Sequence, residues 1–582
     1  MKIKKRLHVH ITFLLSILVL TSCDLDVENI NSVDNGTFWR TENDFERALN
    51  TVYGALQFQS ISGSGLAFEM LLGDEAGTES FYRQIVFSNL TFGDATEQVV
   101  DKWNELYIGI FRANQVLAQI PLNPEAFDNA ENAVSIEAQA RFFRAFYYFQ
   151  LIHTYGQAVI RTEVPETSDQ ISAPLSNIEE VTNQIIIPDL QFAKENLPRT
   201  WPESDLGRVT WGAATSLLGK SYLYTQQWSQ AATQLKEVID SNIYRLAPNN
   251  LDNFSHLTEF NSESILETPY NIDINPGVRG EIVDNNNNET GAEASAIARS
   301  IAQLNFAGFN VVLPTYYLHE LFVRDSVDVD NPVNDDNMQS KRMGASIVPI
   351  DGDGLYYGLP IGERPGWVFG QSSYAKKYSN WYHLESEDGL FRSEINYRHI
   401  RLADVYLMYA EAVLEANGDV DTAIEFIDLV RRRAGVITLR DYIDTNGTFP
   451  AFHISKQVNG GVETQVTPSV ESVRTHLRRV ERPLELCLEG HRWKDLVRWG
   501  IAGDVISELN ADEEWRLKNQ DGILDVNAID GQMGSGAGVA PLFIRGKIRQ
   551  DFAQASKNYS PELHNYLPIP AAELQTNDEV GN

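Results

Sequence analysis

The strongest structural signal in the sequence is a long aromatic segment with the periodicity of an α-helix. Residues 135–155 read SIEAQARFFRAFYYFQLIHTY, which places apolar and aromatic side chains on nearly every face of a helix. A helix that is apolar all round is buried among other elements. The segment therefore predicts a central helix with Gly156 as its C-cap. Residues 45–56 and 103–120 have the three-and-four spacing of helices that pack beside it.

Two longer segments predict helical hairpins of one type. Residues 210–240 and 400–433 each contain two amphipathic stretches, and the second stretches have identical apolar spacing. Gly219 and Tyr222 stand where a tetratricopeptide repeat has these residues, whereas Glu411 replaces the glycine in the second hairpin. Because such hairpins bury their apolar faces against one another, several must stack. The fold class predicted is mostly α, with tetratricopeptide-like hairpins forming a scaffold.

The segment between the two hairpins has a different composition. Residues 245–395 are rich in Asn, Asp, Gly and Pro, including four consecutive asparagines at 285–288. This composition is typical of turns and loops, and long loops on a rigid scaffold commonly carry binding residues. We therefore predict a helical scaffold over about 36–244 and 396–582, with long irregular insertions that carry the ligand face at about 245–395.

The amino terminus predicts export and a lipid anchor. Basic residues precede an apolar run at 11–20, which is about half the roughly 20 residues that a membrane-spanning helix needs. Residues 1–22 are therefore predicted to be a signal peptide; the alternative, an uncleaved anchor helix, would need a longer run. Cys23 follows the tripeptide LTS, which resembles the lipoprotein processing site at which the cysteine is lipidated. Two acyl chains on Cys23 would hold the chain stably on a bilayer.

The charge and the cysteines narrow the function classes. Removal of residues 1–22, which carry four positive and no negative charges, takes the formal charge from −33 to −37. Such a chain repels phosphate backbones, so no nucleic-acid partner is predicted, whereas neutral sugars meet no such penalty. Besides Cys23 only Cys487 remains, so the monomer has no disulfide and no cysteine-based zinc site. We expect Cys487 in the core.

Six blocks in a fixed order make the sequence similar to the SusD/RagB family of outer-membrane lipoproteins of the Bacteroidetes. The blocks are CDLDVENINSVDNGTFWRTENDFERALNTVYGAL, EAQARFFRAFYYFQLIHTYG, GRVTWGAATSLLGKSYLY, RLADVYLMYAEA, VERPLELCLEGHRWKDLVRWG and NYLPIPAAEL. They extend from Cys23 to the last twenty residues. The chain departs from the family at Pro483, where a basic residue is more usual. Because proline belongs in the first turn of a helix, we predict a helix break or restart near it.

The resemblance implies a function as well as a fold. Residues 23–582 would form a single, mostly helical unit with four tetratricopeptide-like hairpins. The unit would be anchored through Cys23 at the cell surface, over a SusC-type TonB-dependent transporter in the outer membrane. It would bind glycan without catalysis or cofactor and pass the glycan to the transporter. The RagB branch is associated with peptides, so uptake of a peptide or another nutrient is the alternative, and a scaffold that binds only protein is a third class.

Glycan binding uses flat aromatic rings together with planar polar groups, and three clusters supply them. The first, within 353–382, contains Tyr356, Tyr357, Arg364, Trp367, Asn380 and Trp381. The second, within 305–316, contains Phe309 and Asn310, and in the family this strip is near the ligand face. The third follows the first helix and contains Asp74, Phe81 and Tyr82. For each residue, packing in the core or against the transporter is the competing interpretation.

Two charged segments invite other chemistry. The block 481–498 holds several carboxylates and His491, but charges three and four residues apart are typical of ion pairs within a helix. We therefore predict a structural role there. A glycoside hydrolase, the remaining alternative, needs two carboxylates roughly 5–10 Å apart, a distance that sequence does not give. The acidic stretch from Asp325 to Asp336 offers oxygen ligands for calcium. It lacks the glycine and closing glutamate of an EF-hand, which favours a solvated turn.

Overall fold

A computed structural model describes residues 38–165, 167, 170–274, 293–334, 339–349, 352, 354–361, 373–450, 466–523 and 549–580. The predicted signal peptide and Cys23 lie outside these residues. The α-helices are α1 Glu42–Gly54, α2 Ala67–Leu72, α3 Ile85–Ser88, α4 Glu97–Gln119, α5 Ala130–Tyr155, α6 Ile178–Val181, α7 Ile187–Asn196, α8 Trp211–Tyr224, α9 Trp228–Asp240, α10 Ile297–Ile301, α11 Tyr316–Arg324, α12 Lys341–Ser346, α13 Leu402–Asn417, α14 Val420–Arg433, α15 Leu439–Asn446, α16 Val470–His476, α17 Arg482–Leu486, α18 Arg492–Arg498, α19 Ala502–Ile523, α20 Ala555–Asn558, α21 Pro561–His564 and α22 Ala571–Thr576.

The strands are short and pair antiparallel in twos. They are β1 Ala76–Gly77, β2 Gln157–Val159, β3 Leu175–Asn177, β4 Ser264–Thr268, β5 Leu313–Pro314, β6 Ile347–Pro349, β7 Leu355–Tyr356, β8 Leu359–Pro360, β9 Ser373–Ala375 and β10 Tyr397–Arg401. The pairs are β1 with β5, β2 with β3, β4 with β10, β6 with β9 and β7 with β8. Most pairs therefore lie in or border the loop-rich region. Among the described residues, no helix has both the length and the apolar character needed to cross a membrane.

The scaffold is an array in which each helix packs on the next, in the order α1, α4, α5, α7, α8, α9, α13 and α14. The aromatic helix α5 is almost wholly buried within it and ends at Gly156, whose φ of 75° is left-handed. Both features confirm the sequence prediction. Helix α4 begins at Glu97, six residues before the predicted Trp103, and the buried Val99 continues the apolar spacing of Trp103 and Leu106 toward the amino terminus.

The two predicted hairpins are α8–α9 and α13–α14, and they stack through α9 and α13. Gly219 lies where the helices of the first hairpin approach most closely. A Cβ at this position would be 2.8 Å from Cγ of Leu235, so only glycine permits the approach. In the second hairpin, Glu411 is buried and accepts hydrogen bonds from Arg498 and Trp499. At the position of Gly219, the second hairpin therefore has a buried, hydrogen-bonded carboxylate instead of a close approach between its helices.

Pro483 lies in the first turn of α17, directly after a π-helical turn at Leu477–Glu481. A non-proline amide at position 483 would bond the carbonyl of Arg479 in a regular α-helix. That carbonyl instead accepts a hydrogen bond of 2.6 Å from the hydroxyl of Tyr317. The restart predicted near Pro483 is confirmed. Helix α7 repeats the arrangement, with Pro188 after the π turn Thr182–Ile186.

Charged side chains of the block 481–498 are buried and paired with distant elements. Glu485 contacts Arg401 and Arg433, and Arg492 binds both oxygens of Asp74. We predicted ion pairs within the helix. Among the described ion pairs of this block, only Asp495 with Arg498 is of this kind. Glu481 also pairs with His476 and Arg482 with Asp495, but most other partners of the block lie far away in sequence, where local spacing carries no information.

Buried cations lower the pKa of two carboxyl groups, those of Glu263 and Glu489. Burial alone would raise the pKa of Glu263, but Arg433 and Arg401 outweigh it and hold that pKa at about 2. The pKa of Glu489 is about 2 for the same reason, with Arg401 and Lys377 as its partners. Cys487 is buried in the core, as predicted, and burial raises its thiol pKa to about 11.

The loop-rich region contains a small core of its own. Its buried members are Ala302, Phe306, Leu313, Val348, Tyr356, Tyr357, Ile361 and Tyr374. They come from short helical turns and strands that the composition of 245–395 did not predict. This second core fixes the loops on the scaffold and thereby positions the candidate site.

Candidate ligand-binding face

The structure brings the three predicted clusters together. Strand β1, next to Asp74, pairs with β5, so that Ala76 faces Pro314. The hydroxyl of Tyr82 donates a hydrogen bond to the carbonyl of Phe309. Phe306 stacks on Tyr357 with ring centroids 4.8 Å apart and planes 6° apart. Segments that lie more than 200 residues apart in sequence therefore form one continuous surface.

We call the outer part of this surface, formed by Phe81, Tyr82, Arg299, Phe309 and Phe391, the aromatic face. Phe81 is 61% exposed and lies 4.5 Å from the ring of Tyr82. The half-buried rings of Phe309 and Phe391 are 5.3 Å apart. Two pairs of rings, fixed on neighbouring loops, thus present apolar surface to solvent.

Arg299 connects the second pair of rings. Its guanidinium carbon lies 5.0 Å from the ring centroid of Phe309 and 3.9 Å from that of Phe391. Its Nη1 donates to the carbonyl of Asp388 at 3.0 Å. The Nε is buried and has no hydrogen-bond partner among the described residues. The cation therefore holds the two rings in place and keeps hydrogen-bonding capacity.

Tyr356, Tyr357 and Asn380, which we predicted as ligand contacts, lie behind the aromatic face. Each is no more than 2% exposed. Tyr357 donates a hydrogen bond to Glu387, and Asn380 donates from its side chain to the same carboxylate at 2.7 Å. Burial raises the pKa of Glu387 despite these bonds. The three residues are therefore interior residues that offer almost no surface to a ligand.

Asp74 and Asn310 are also buried, but they differ in whether their side chains have hydrogen-bond partners. Both oxygens of Asp74 accept hydrogen bonds from Arg492, at 2.6 and 2.7 Å, which leaves this carboxylate fully engaged. Asn310 has a φ of 58°, and neither atom of its amide has a partner among the described residues. A buried polar group without a partner calls for a water or a ligand group. Asn310 is thus the predicted polar residue whose hydrogen-bonding capacity remains unused.

Trp381 packs against the small second core, beside the turn between β7 and β8. Its carbonyl accepts a hydrogen bond from the amide of Tyr357, and its half-buried ring lies 3.7 Å from Nζ of Lys376. Burial lowers the pKa of Lys376 to about 7. Trp367 and Arg364, the other members of this predicted cluster, lie outside the described residues.

Sequence reasoning did not select Arg299 or Phe391 as site residues. Phe391 stands alone in the polar segment EDGLFRSE, and Arg299 is in a short helix, so neither has a local aromatic neighbour. Their proximity arises because the loops at 299–310 and 388–393 fold back on each other. Only the tertiary structure shows it.

In the acidic stretch that we considered for calcium, the first carboxylate is already engaged in ion pairs within the protein. Asp325 is buried and pairs with Arg342 and Arg431. Asp335 and Asp336 lie outside the described residues. In the part of the chain that the structure describes, no group of three or more His, Cys, Asp or Glu side chains is arranged to hold a metal ion.

Two family models match this chain at its two ends. A model described as starch-binding associating with outer membrane matches residues 25–223, and the model of the SusD family matches residues 370–582. The chain belongs to the SusD family. Among its relatives, a SusD-like protein of Formosa agariphila, P2, is 26% identical over 85% of this chain and 91% of its own length.

Solved structures share the SusD fold with this chain. A SusD superfamily protein from Bacteroides vulgatus has a TM-score of 0.70 at 23% identity, covering 94% of this chain and 99% of its own. A laminarin-binding SusD-like protein has a TM-score of 0.64 at 23% identity, covering 93% and 98%. The mostly helical architecture described above is therefore the SusD fold.

Proposed function

We propose that this SusD-family protein is a surface lipoprotein that binds glycan at the aromatic face, without catalysis, and delivers it to a SusC-type TonB-dependent transporter. The observation that carries the proposal is the convergence of three separate chain segments on one exposed aromatic surface. Single exposed apolar residues are normal on a protein surface, but exposed aromatic rings that lie together mark interaction sites. Here Arg299 lies against the rings of Phe309 and Phe391, and Tyr82 and Phe309 pack against the main core.

The chemistry of the aromatic face suits a saccharide. The exposed rings can stack on the apolar faces of sugar rings, and behind them the buried amide of Asn310 and Nε of Arg299 keep unused hydrogen-bonding capacity. A neutral polymer approaches the acidic chain without repulsion. A solved protein of the same fold is described as laminarin-binding, so laminarin is the first ligand to test.

The lipid anchor and the transporter complete the proposal. The signal-like residues 1–22 and Cys23 support export and acylation, and one matching family model is described by association with the outer membrane. Two carboxylates near the aromatic face already have hydrogen-bond partners within the protein, which supports binding of the glycan without its hydrolysis. Glu387 lies behind the rings and is held by Tyr357 and Asn380, and Asp74 is held by Arg492.

Truncation of the exposed rings tests the location of the site. We expect Phe81→Ala combined with Phe309→Ala to weaken binding of the polysaccharide that the native protein binds best by at least about tenfold, because aromatic anchors cost more than about 1 kcal/mol each when truncated. Isothermal titration calorimetry with laminarin, starch and a panel of other polysaccharides gives the affinities.

The matched control is Phe111→Ala, which removes an exposed ring, 41% accessible, from the scaffold helix α4. It should leave the affinity unchanged. Equal affinities for the double variant and the native protein, with both folded, would move the site away from the aromatic face.

A further inference from the structure

A concave site lies between the connection that joins α7 to α8 and the strand β4. The cavity has a volume of about 240 Å³. Its lining includes Arg199, Trp201, Leu206, Tyr244, Phe260 and Ser264. None of these residues belongs to the aromatic face, to the loops that support it or to the clusters selected from the sequence. The cavity is therefore a separate candidate site.

The walls of the cavity are aromatic and fixed. The indole N–H of Trp201 donates to the carbonyl of Val209 at 2.8 Å, and the guanidinium of Arg208 lies 5.6 Å from the indole ring. Phe260, which also lines the cavity, has a φ of 49°. This left-handed conformation is costly for a residue with a Cβ, and such residues cluster at functional sites. Two preformed apolar surfaces thus face the cavity.

The space above Gly207 shows how the cavity is kept open. Gly207 has a φ of 96°, and a Cβ there would lie 3.2 Å from the ring of Phe260. The ring of Phe260 therefore rests against bare backbone. Leu206, beside it, is 55% exposed at the edge of the cavity. An apolar surface remains open to solvent here although the neighbouring chain is well packed.

The rim of the cavity carries polar groups with unused capacity. The guanidinium of Arg199 is exposed and lies 4.1 Å from the ring centroid of Trp211, and it forms no hydrogen bond or ion pair with another described residue. Arg208, in contrast, pairs with Glu46 and Asp205. The hydroxyl of Ser264 likewise has no partner among the described residues. A ligand with several hydroxyl groups would find donors and acceptors at this rim.

We propose that this cavity binds one pyranose unit of a saccharide, with the sugar ring between Trp201 and Phe260 and its hydroxyl groups bonded to Arg199 and Ser264. Pockets that bury a drug-sized ligand have about 300–1,000 Å³, so the smaller cavity suits a single ring and not a chain. The choice of a saccharide rests on the proposed function. Two sites on one polymer would raise its overall affinity through a high effective concentration.

Saturation-transfer NMR with a set of methyl glycosides tests the proposal. The set comprises the α and β methyl glycosides of glucose, galactose, mannose and xylose, which are too short to occupy both sites. We expect at least one to give a signal with the native protein that Trp201→Ala abolishes. Arg199→Ala, at an exposed position that the fold tolerates, should weaken its binding by about three- to tenfold, the loss of one hydrogen bond.

Two controls separate this proposal from the one on which it rests. Arg245→Ala removes an exposed arginine outside the cavity and should leave the signal unchanged. The double variant at Phe81 and Phe309 should also retain the signal, although it weakens polysaccharide binding.

The proposal is overturned if no glycoside gives a signal that depends on Trp201 or, should the tryptophan variant fail to fold, on Arg199. If polysaccharide binding is then lost only in the double variant, the aromatic face remains the proposed glycan site and the cavity is rejected as a second site. Retention of binding in the double variant together with its loss in Trp201→Ala would do the reverse.

Discussion

Arg401→Ala is expected to lower the free energy of unfolding by about 3–5 kcal/mol, the cost of leaving buried charges without their partner. Arg401 is 2% exposed and lies among three buried carboxylates. It donates to Glu489 at 2.9 Å, to Glu485 at 2.6 Å and to Glu263 at 2.9 Å. Removing the cation leaves these acids desolvated and partly uncompensated. Urea unfolding measures the effect as a lower midpoint at an unchanged slope.

The matched control is Arg440→Ala, which breaks an ion pair with Asp421 whose side chains are 47% and 85% exposed. An exposed pair contributes about 0–1 kcal/mol, so this variant should unfold close to the native midpoint. Two variants with similarly small losses would show that the buried network does not stabilise the fold as we describe.

Gly308→Ala is expected to destabilise the protein by about 1–3 kcal/mol and to abolish binding at the aromatic face. An added Cβ at position 308 would overlap the backbone carbonyl of Ala302, which cannot rotate away as a side chain can. The close approach lets the chain fold back, so that the amide of Phe309 donates to Arg299 and that of Asn310 to Ala302. Separating these segments displaces Phe309 and Arg299 together. Thermal unfolding and calorimetric titration with polysaccharide measure both effects.

Gly389→Ala provides the control from the facing loop. A Cβ there meets no atom within 4 Å, and its φ is not left-handed, so stability should change by less than about 0.5 kcal/mol. Full binding by Gly308→Ala would contradict the role that we give to the fold of residues 299–310.

The helical scaffold could be predicted because its signals are local. The aromatic helix α5, its cap at Gly156, both hairpins and the restart at Pro483 all follow from spacing within one segment. The partners of the buried charges could not be predicted in this way. Arg401 and Glu489 are 88 residues apart, and periodicity says nothing about such pairs.

The sequence could predict which segments of the chain form the candidate site, but it was less reliable for the individual residues. The loop aromatics selected segments that the structure brings together, and Phe81, Tyr82 and Phe309 lie at the surface there. Tyr356 and Tyr357 resembled them in sequence but form part of the small second core, because a turn between two short strands directs both inward. Phe391 and Arg299 needed the tertiary fold. Direct ligand contact by any of these residues stays a prediction.

The central claim is that this protein binds a glycan without hydrolysing it. Calorimetric titration of the native protein with laminarin, starch and the remaining polysaccharides, followed by an assay for new reducing ends in the same samples, tests that claim most directly. We predict saturable binding of at least one polysaccharide and no increase in reducing ends. Absence of binding across the panel, or release of reducing ends from the bound glycan, would contradict it.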